Sequence, residues 1–403
     1  MSLLMARFLS MVVLLWLACL ACLPARAQNL LPGEFGDIDL GRELVDADRL
    51  PTIRELRTMV ANPRMQHVLM LKLYGDQHNH TLPVWSEDGR RLAFQRADVS
   101  RDVSKLLLFE ELSHETPKLL TTDDNAYDYA FRWAVNGEDA YTFTRLDARS
   151  RTSSIYVSIS GQPPETRTAQ AGKYFAPSLL ARTDGIWRLA YEKDGTIAHE
   201  AWTAEQTVYD PLNLIAGTSP RWSRDGFRIL AARGLPGRSN LGTQEIVIRG
   251  LADDEEIVIP SAVGEMVRSP AWSPDESFVA YYARRGGNEA PWTVRACAVS
   301  GTPEPISLAS DVMVNADFNS QGPSWEPSGR RVWFFSNQHR QQAYYPLAAA
   351  SVDGGSVITV DYPRRCTSPN DLAANPSTRI PEFAFVGHQG LSQDVYVVLL
   401  NHY

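Results

Sequence analysis

His78 and His80 stand one residue apart in Asp76-Gln77-His78-Asn79-His80, a pattern that could hold a divalent metal. Side chains two apart on an extended segment project to one side, and imidazole with carboxylate suits zinc or manganese. The pair has no defined third ligand, so a solvated loop rich in turn formers is the competing reading. A second set lies in Asp123-Asp124-Asn125-Ala126-Tyr127-Asp128-Tyr129. Asp123, Asp124 and Asp128 could hold calcium, although their spacing is not that of an EF-hand loop. Tyr127, Tyr129 and Tyr174 could contact a peptide or a sugar, or could pack against neighbouring strands with the hydroxyl left wet. Arg268, beside Glu265, and Asp317, between Asn315 and Asn319, complete the polar candidates. Other chemistry is missing from the sequence. There is no Gly-x-Ser-x-Gly elbow, since Gly237-Arg238-Ser239-Asn240-Leu241 fails at its last position. Neither a phosphate-binding glycine loop nor, after residue 27, a paired-cysteine metal motif occurs.

The elements that position these residues come from a repeat. Pro83-Val84-Trp85-Ser86-Glu87-Asp88-Gly89, Pro220-Arg221-Trp222-Ser223-Arg224-Asp225-Gly226, Pro270-Ala271-Trp272-Ser273-Pro274-Asp275 and Pro323-Ser324-Trp325-Glu326-Pro327-Ser328-Gly329 each precede a short apolar run. Weaker copies lie at Trp133, at Leu179 and near Ser377. A period of about 40 to 50 residues built from short strands and tight turns is the mark of a β-propeller. Within one copy, the segment up to the Trp reads as the innermost strand. The Asp-Gly reads as a hairpin turn, and the apolar run as the second strand. The Trp is large enough to fill the gap to the next blade. The polar loops named above all lead into innermost strands, so they converge on one face, where a rigid scaffold usually carries function.

Val68–Tyr74 reads as a strand with no upstream partner, and Asp394–Leu400 as one near an unfinished blade. Pairing them would join the two ends of the array and remove exposed edges. The expected fold is therefore an all-β propeller over residues 67–403, with seven blades favoured and six as the alternative. A short arm and helix precede it over residues 28–66. Thr52–Ala61 supplies the helix, with Thr52 and Glu55 as a capping box and Asn62-Pro63 as the stop.

These repeats resemble the TolB-type (WD40-like) propeller repeat, a Trp-Ser-Pro-Asp-Gly turn followed by an Ile-Ala-Phe-like strand. Trp272-Ser273-Pro274-Asp275 matches best, with Glu276 in place of the Gly. The repeat is also similar to the propeller portions of tricorn-type proteases and prolyl-oligopeptidase relatives. TolB carries a sizeable α/β domain before its propeller, and Gln28–Gln66 is too short for one. The resemblance implies a module that binds an envelope protein or peptide. Asp124, Tyr127, Asp128, Tyr129, Tyr174, Arg268 and Asp317 would form its partner face, with no cofactor. Oligogalacturonate lyases are similar at the same level, and that likeness implies an enzyme with a divalent metal near Gln77, His78 and His80. The metal there neutralises a uronate carboxylate while a base removes a proton.

Both ends of the composition fit export. Arg7 precedes an apolar stretch from Phe8 to Leu23, Pro24 breaks it, and Ala25-Arg26-Ala27 is a small-x-small cleavage site. Residues 1–27 are thus expected to be a signal peptide, which places the product in the periplasm or outside the cell. Loss of Arg7 and Arg26 takes the net charge from −8 to −10. Such an acidic chain is a poor partner for nucleic acid, and no membrane span is expected after cleavage. A monomer is expected. Two of the four cysteines leave with the signal, and a Cys297–Cys366 disulfide is open to the remaining pair.

Overall fold

The computed structural model describes Arg57 and residues 68–400, apart from 111–115, 169–171, 235–243, 253–254, 288–289, 315–321, 338–344, 356, 361–366, 379–380 and 390–391. All described elements are strands, and they form five sheets. The fold is all-β, and the expectation of a helix is corrected: no helical element occurs among the described ones. Within Thr52–Ala61 only Arg57 is described, with helical backbone, and the rest of that span lies outside the described residues. The proposed signal, the arm, Asp317 and Cys366 lie outside the described residues. Cys297 is buried and free.

The strands fall into seven antiparallel units of four. The innermost strands are Asn79–Trp85, Ala126–Trp133, Tyr174–Ala181, Thr218–Trp222, Glu265–Trp272, Ser324–Trp325 and Thr367–Ala374. Units one to six each continue through three further strands in chain order. Unit seven takes its fourth strand from the start of the array. Val68 pairs with Leu400 and Lys72 with Tyr396, antiparallel along Ser392–Leu400. Single parallel pairs, Asn79 with Gln393 and Ser104 with Tyr127, join units seven, one and two into the twelve-stranded sheet.

The turn motif works as small-residue chemistry dictates. In Ser86-Glu87-Asp88-Gly89 the Ser86 hydroxyl donates to Asp88 Oδ1 at 2.5 Å and accepts the Arg91 amide at 2.9 Å. Asp88 accepts the Arg90 amide, and Gly89 takes φ +66°. Ser223 with Asp225, and Ser273 with Asp275, repeat the arrangement. At the third turn Glu276 adopts φ +57° where the motif has glycine. This is a left-handed conformation that a non-glycine residue reaches only at a cost.

Between units, the motif Trp supplies a directional bond as well as bulk. The indole Nε1 of Trp133 donates to Val84 O, Trp222 to Ser178 O, Trp272 to Arg221 O and Trp325 to Ala271 O, at 2.9–3.4 Å. Each accepting carbonyl lies on the preceding unit's innermost strand. Trp85 of unit one donates to Ala373 O of unit seven at 3.1 Å. Ser324 stands in where no indole is available, donating to Leu372 O and accepting the Ala374 amide. The apolar core sits between consecutive units. For example, Leu230, Ile246 and Ile248 of unit four meet Val279, Tyr281 and Cys297 of unit five. Both faces of these sheets are covered, so the strands read as near-continuous apolar runs.

A left-handed residue lies three positions before the Trp position in every unit: Leu82, Ala130, Ala176, Ser219, Ser269, Gly322 and Asp371, with φ between 46° and 91°. In six of the seven the register of the innermost strand slips there, which is a β-bulge that re-aims the strand. Gly322 is the one glycine, and a Cβ there would collide with the Ser269 carbonyl.

Candidate functional site

The Asp76–His80 loop packs where units one and seven meet, and Asp76 is its hub. Asp76 Oδ1 accepts the His78 amide at 2.7 Å and lies 3.0 Å from His78 Nδ1. His80 Nε2 is 3.5 Å from the same oxygen, Arg96 Nη1 is 3.5 Å from Oδ2, and the Tyr74 hydroxyl donates to Oδ2 at 3.3 Å. Burial pushes the Asp76 carboxyl up, but the His78 amide and the two imidazoles pull it down by more, so it stays ionised below the usual range. Tyr74 moves the other way: burial and the Asp76 charge raise its hydroxyl and keep it protonated.

The two histidines have different jobs. His80 is fully buried, ringed by Tyr74 and Phe94 at 5.1 and 5.7 Å. Its Nδ1 lies 2.5 Å from Gln393 O, so that nitrogen carries the proton. Burial lowers its pKa despite Gln393, Asp76 and Asp394, and the ring is neutral. Its Nε2 then presents a lone pair with no hydrogen-bond donor. His78 is partly exposed. Because a carboxylate can only accept, His78 Nδ1 carries a proton toward Asp76, and Nε2 is the nitrogen turned away from it. An Asp-oriented imidazole of this kind is a positioned base.

The same residues were the candidates for a divalent metal. Among the described residues no group of three His, Cys, Asp or Glu side chains is placed to hold one. Arg96 already brings positive charge to Asp76, while the Nδ1–H of His80 on Gln393 O is the arrangement that leaves Nε2 open to a ligand. Gln77 is exposed.

The residues expected to form a partner face are divided by the structure. Asp124 is exposed and pairs with Lys105 at 3.1 Å, and Tyr127 is half-buried beside Tyr129 at 5.9 Å. Asp128 is fully buried in a bidentate pair with Arg145, at 2.7 and 2.9 Å. Tyr129 and Tyr174 are buried, with the Tyr174 ring against Tyr191 at 5.7 Å. The Arg268 guanidinium lies over the Trp292 ring at 5.1 Å, and buried Glu265 holds Arg295 at 2.7 Å. Tyr74, Arg96 and Glu192 were not singled out by sequence reasoning. Arg96 and Tyr74 sit on strands beside the His pair, so pairing Val68–Tyr74 with the chain's end would have pointed to Tyr74. Nothing in the sequence marks Glu192, whose carboxyl is pushed up to about 7 by burial, against the Ser219 amide.

No protein-family model matches the chain. No curated protein matches it either. Among solved structures it is similar to a puromycin-hydrolyzing peptidase of Mycobacterium tuberculosis, at 12% identity and TM-score 0.54, over 77% of this chain and 49% of that one. It is similar to an oligogalacturonate lyase of Vibrio parahaemolyticus at 12% identity and TM-score 0.53, over 82% of this chain and 93% of the lyase. TolB from Acinetobacter baumannii is similar at 14% identity and TM-score 0.43, over 58% of this chain and 55% of TolB. The chain thus spans about half the length of the peptidase and of TolB. The resemblance to TolB is weak and is shared with other β-fold proteins. At these identities likeness speaks of fold alone. No helix among the described residues is long and apolar enough to cross a membrane.

Proposed function

We propose that this chain is an exported enzyme that cleaves acidic oligosaccharides by β-elimination, with His78 as the base. The observation that carries the proposal is Asp76 holding His78 Nδ1 while Arg96 stands at its other oxygen. His78 Nε2 takes the proton from the carbon next to the uronate carboxylate. The electron pair of that C–H bond becomes the new double bond, the glycosidic C–O bond at the following carbon breaks, and the departing oxygen takes a proton from water. Arg96 would pair with the substrate carboxylate, whose negative charge grows as the proton leaves. The fold likeness over 93% of an oligogalacturonate lyase supports this reading over docking. Burial of Asp128, Tyr129 and Tyr174 supports it too, because it removes three of the seven anchors from the partner face.

The test is incubation of the purified protein with oligogalacturonate, followed by ultraviolet absorbance of the unsaturated product. His78→Ala is expected to lower kcat by about a hundredfold or more, the usual worth of a positioned base. Arg96→Met is expected to raise KM. No product from any uronate oligosaccharide would sink the proposal. Metal content of the wild type against His78→Ala/His80→Ala tests a metal-dependent version of the same chemistry. Export is tested by cell fractionation and by the N-terminal sequence of the mature chain, expected to start at Gln28.

A further inference from the structure

The innermost strands carry a second feature at the end away from His78. Residues from all seven units line one cavity of about 330 Å³, inside the range of roughly 300–1,000 Å³ seen for small-molecule sites. From His80 to Trp85 the strand advances roughly 16 Å at about 3.3 Å per residue, so the cavity is separate from the Asp76 cluster.

The residue just before the Trp position is Val, Ser or Ala in five units and arginine in two, Arg132 and Arg221. That layer therefore holds two guanidiniums and no carboxylate, and both arginines line the cavity. Arg132 is 6% exposed, and burial pushes the Arg221 guanidinium down to about 9. Among the described residues the acids on the lining are Glu87 and Glu276, which sit in the turns and are engaged there. Glu87 holds Arg224 at 3.1 Å and accepts the Asn136 amide at 3.0 Å. Glu276 holds Arg228 at 3.1 Å and accepts the Arg224 amide. Indole rings from five units complete the wall.

We propose that this cavity binds a small organic carboxylate with a flat apolar body, its carboxylate held by Arg132 and Arg221 and its body against the indoles. A guanidinium fork matches a carboxylate's two oxygens, and indoles supply apolar area at little entropic cost. The site is independent of uronate cleavage.

Titration calorimetry on the full chain with benzoate, and with its neutral counterpart benzamide, tests this. The expected result is one benzoate per chain, with benzamide weaker by about tenfold or more, as loss of a charge-assisted pair implies. Arg132→Met and Arg221→Met are each expected to weaken benzoate by a similar factor. Arg221→Lys, which keeps the charge but loses the fork, serves if a Met variant fails to fold, and is expected to bind benzoate more weakly than wild type. His78→Ala leaves benzoate binding unchanged. No benzoate binding to folded wild type, equal binding of benzamide, or full affinity in the arginine variants would overturn the proposal.

Discussion

Glu192 offers a quantitative test of how the units pack. It lies opposite Phe175 and Ile197 within unit three. Burial raises its carboxyl from 4.5 to about 7, and the amide of Ser219, the left-handed residue of unit four, offsets only part of that. Folded Glu192 thus keeps a proton that the unfolded chain has released between those two values. The stability this contributes is present below pH 4.5 and is lost as pH rises through about 7. A rise of about 2.5 units at about 1.36 kcal/mol each makes the loss about 3 kcal/mol. That is a large share of a domain's typical 5–15 kcal/mol, on the order of a fifth or more. Glu192→Gln, neutral at every pH, escapes the loss. Urea unfolding of both proteins should show Glu192→Gln gaining about 3 kcal/mol relative to wild type between acid and mildly alkaline pH. A difference that does not change with pH would refute the reasoning.

His199 has the opposite sign. It is buried against Trp222 at 4.8 Å, and burial, with Arg188, lowers it from 6.5 to about 3. Its contribution is present above pH 6.5 and lost as pH falls toward about 3, so replacing it with Gln should flatten acid unfolding in that window. Trp222→Phe leaves the Ser178 carbonyl without its 2.9 Å donor and should cost about 1–3 kcal/mol in chemical denaturation. Arg145→Met strands the fully buried Asp128 carboxylate and should cost about 3–5 kcal/mol, while Arg145→Met/Asp128→Leu should recover much of it.

The strands were legible because the turn chemistry repeats. Ser86, Asp88 and Gly89 announce a hairpin from residue type alone, and the spacing of the Trp positions places the innermost strands. The pairing of Val68–Tyr74 with Ser392–Leu400 followed from asking where an unpartnered strand could go. The helix over Thr52–Ala61 rested on local signals, and the described elements contain none. At the site, His78 and His80 were found by spacing, but their separate roles depend on Gln393 and Asp76. Contacts 313 residues apart leave no trace in a local pattern. Asp128 was read as a loop anchor because acidic loop residues usually are exposed, and Tyr174 as either a contact or a ring packed on a neighbouring strand. Burial depended on Arg145 and Tyr191, which the sequence does not connect to them. The arginines before Trp133 and Trp222 were visible in the repeat, but only the structure brings them to one cavity.

The central claim is most directly tested by mass spectrometry of the products formed from oligogalacturonate and from the same oligosaccharide with its carboxylates reduced to alcohols. The account expects unsaturated fragments from the acid form, none from the reduced form, and none from the acid form with His78→Ala. Fragments from both forms at similar rates, saturated fragments, or no cleavage of either by the wild type would contradict it.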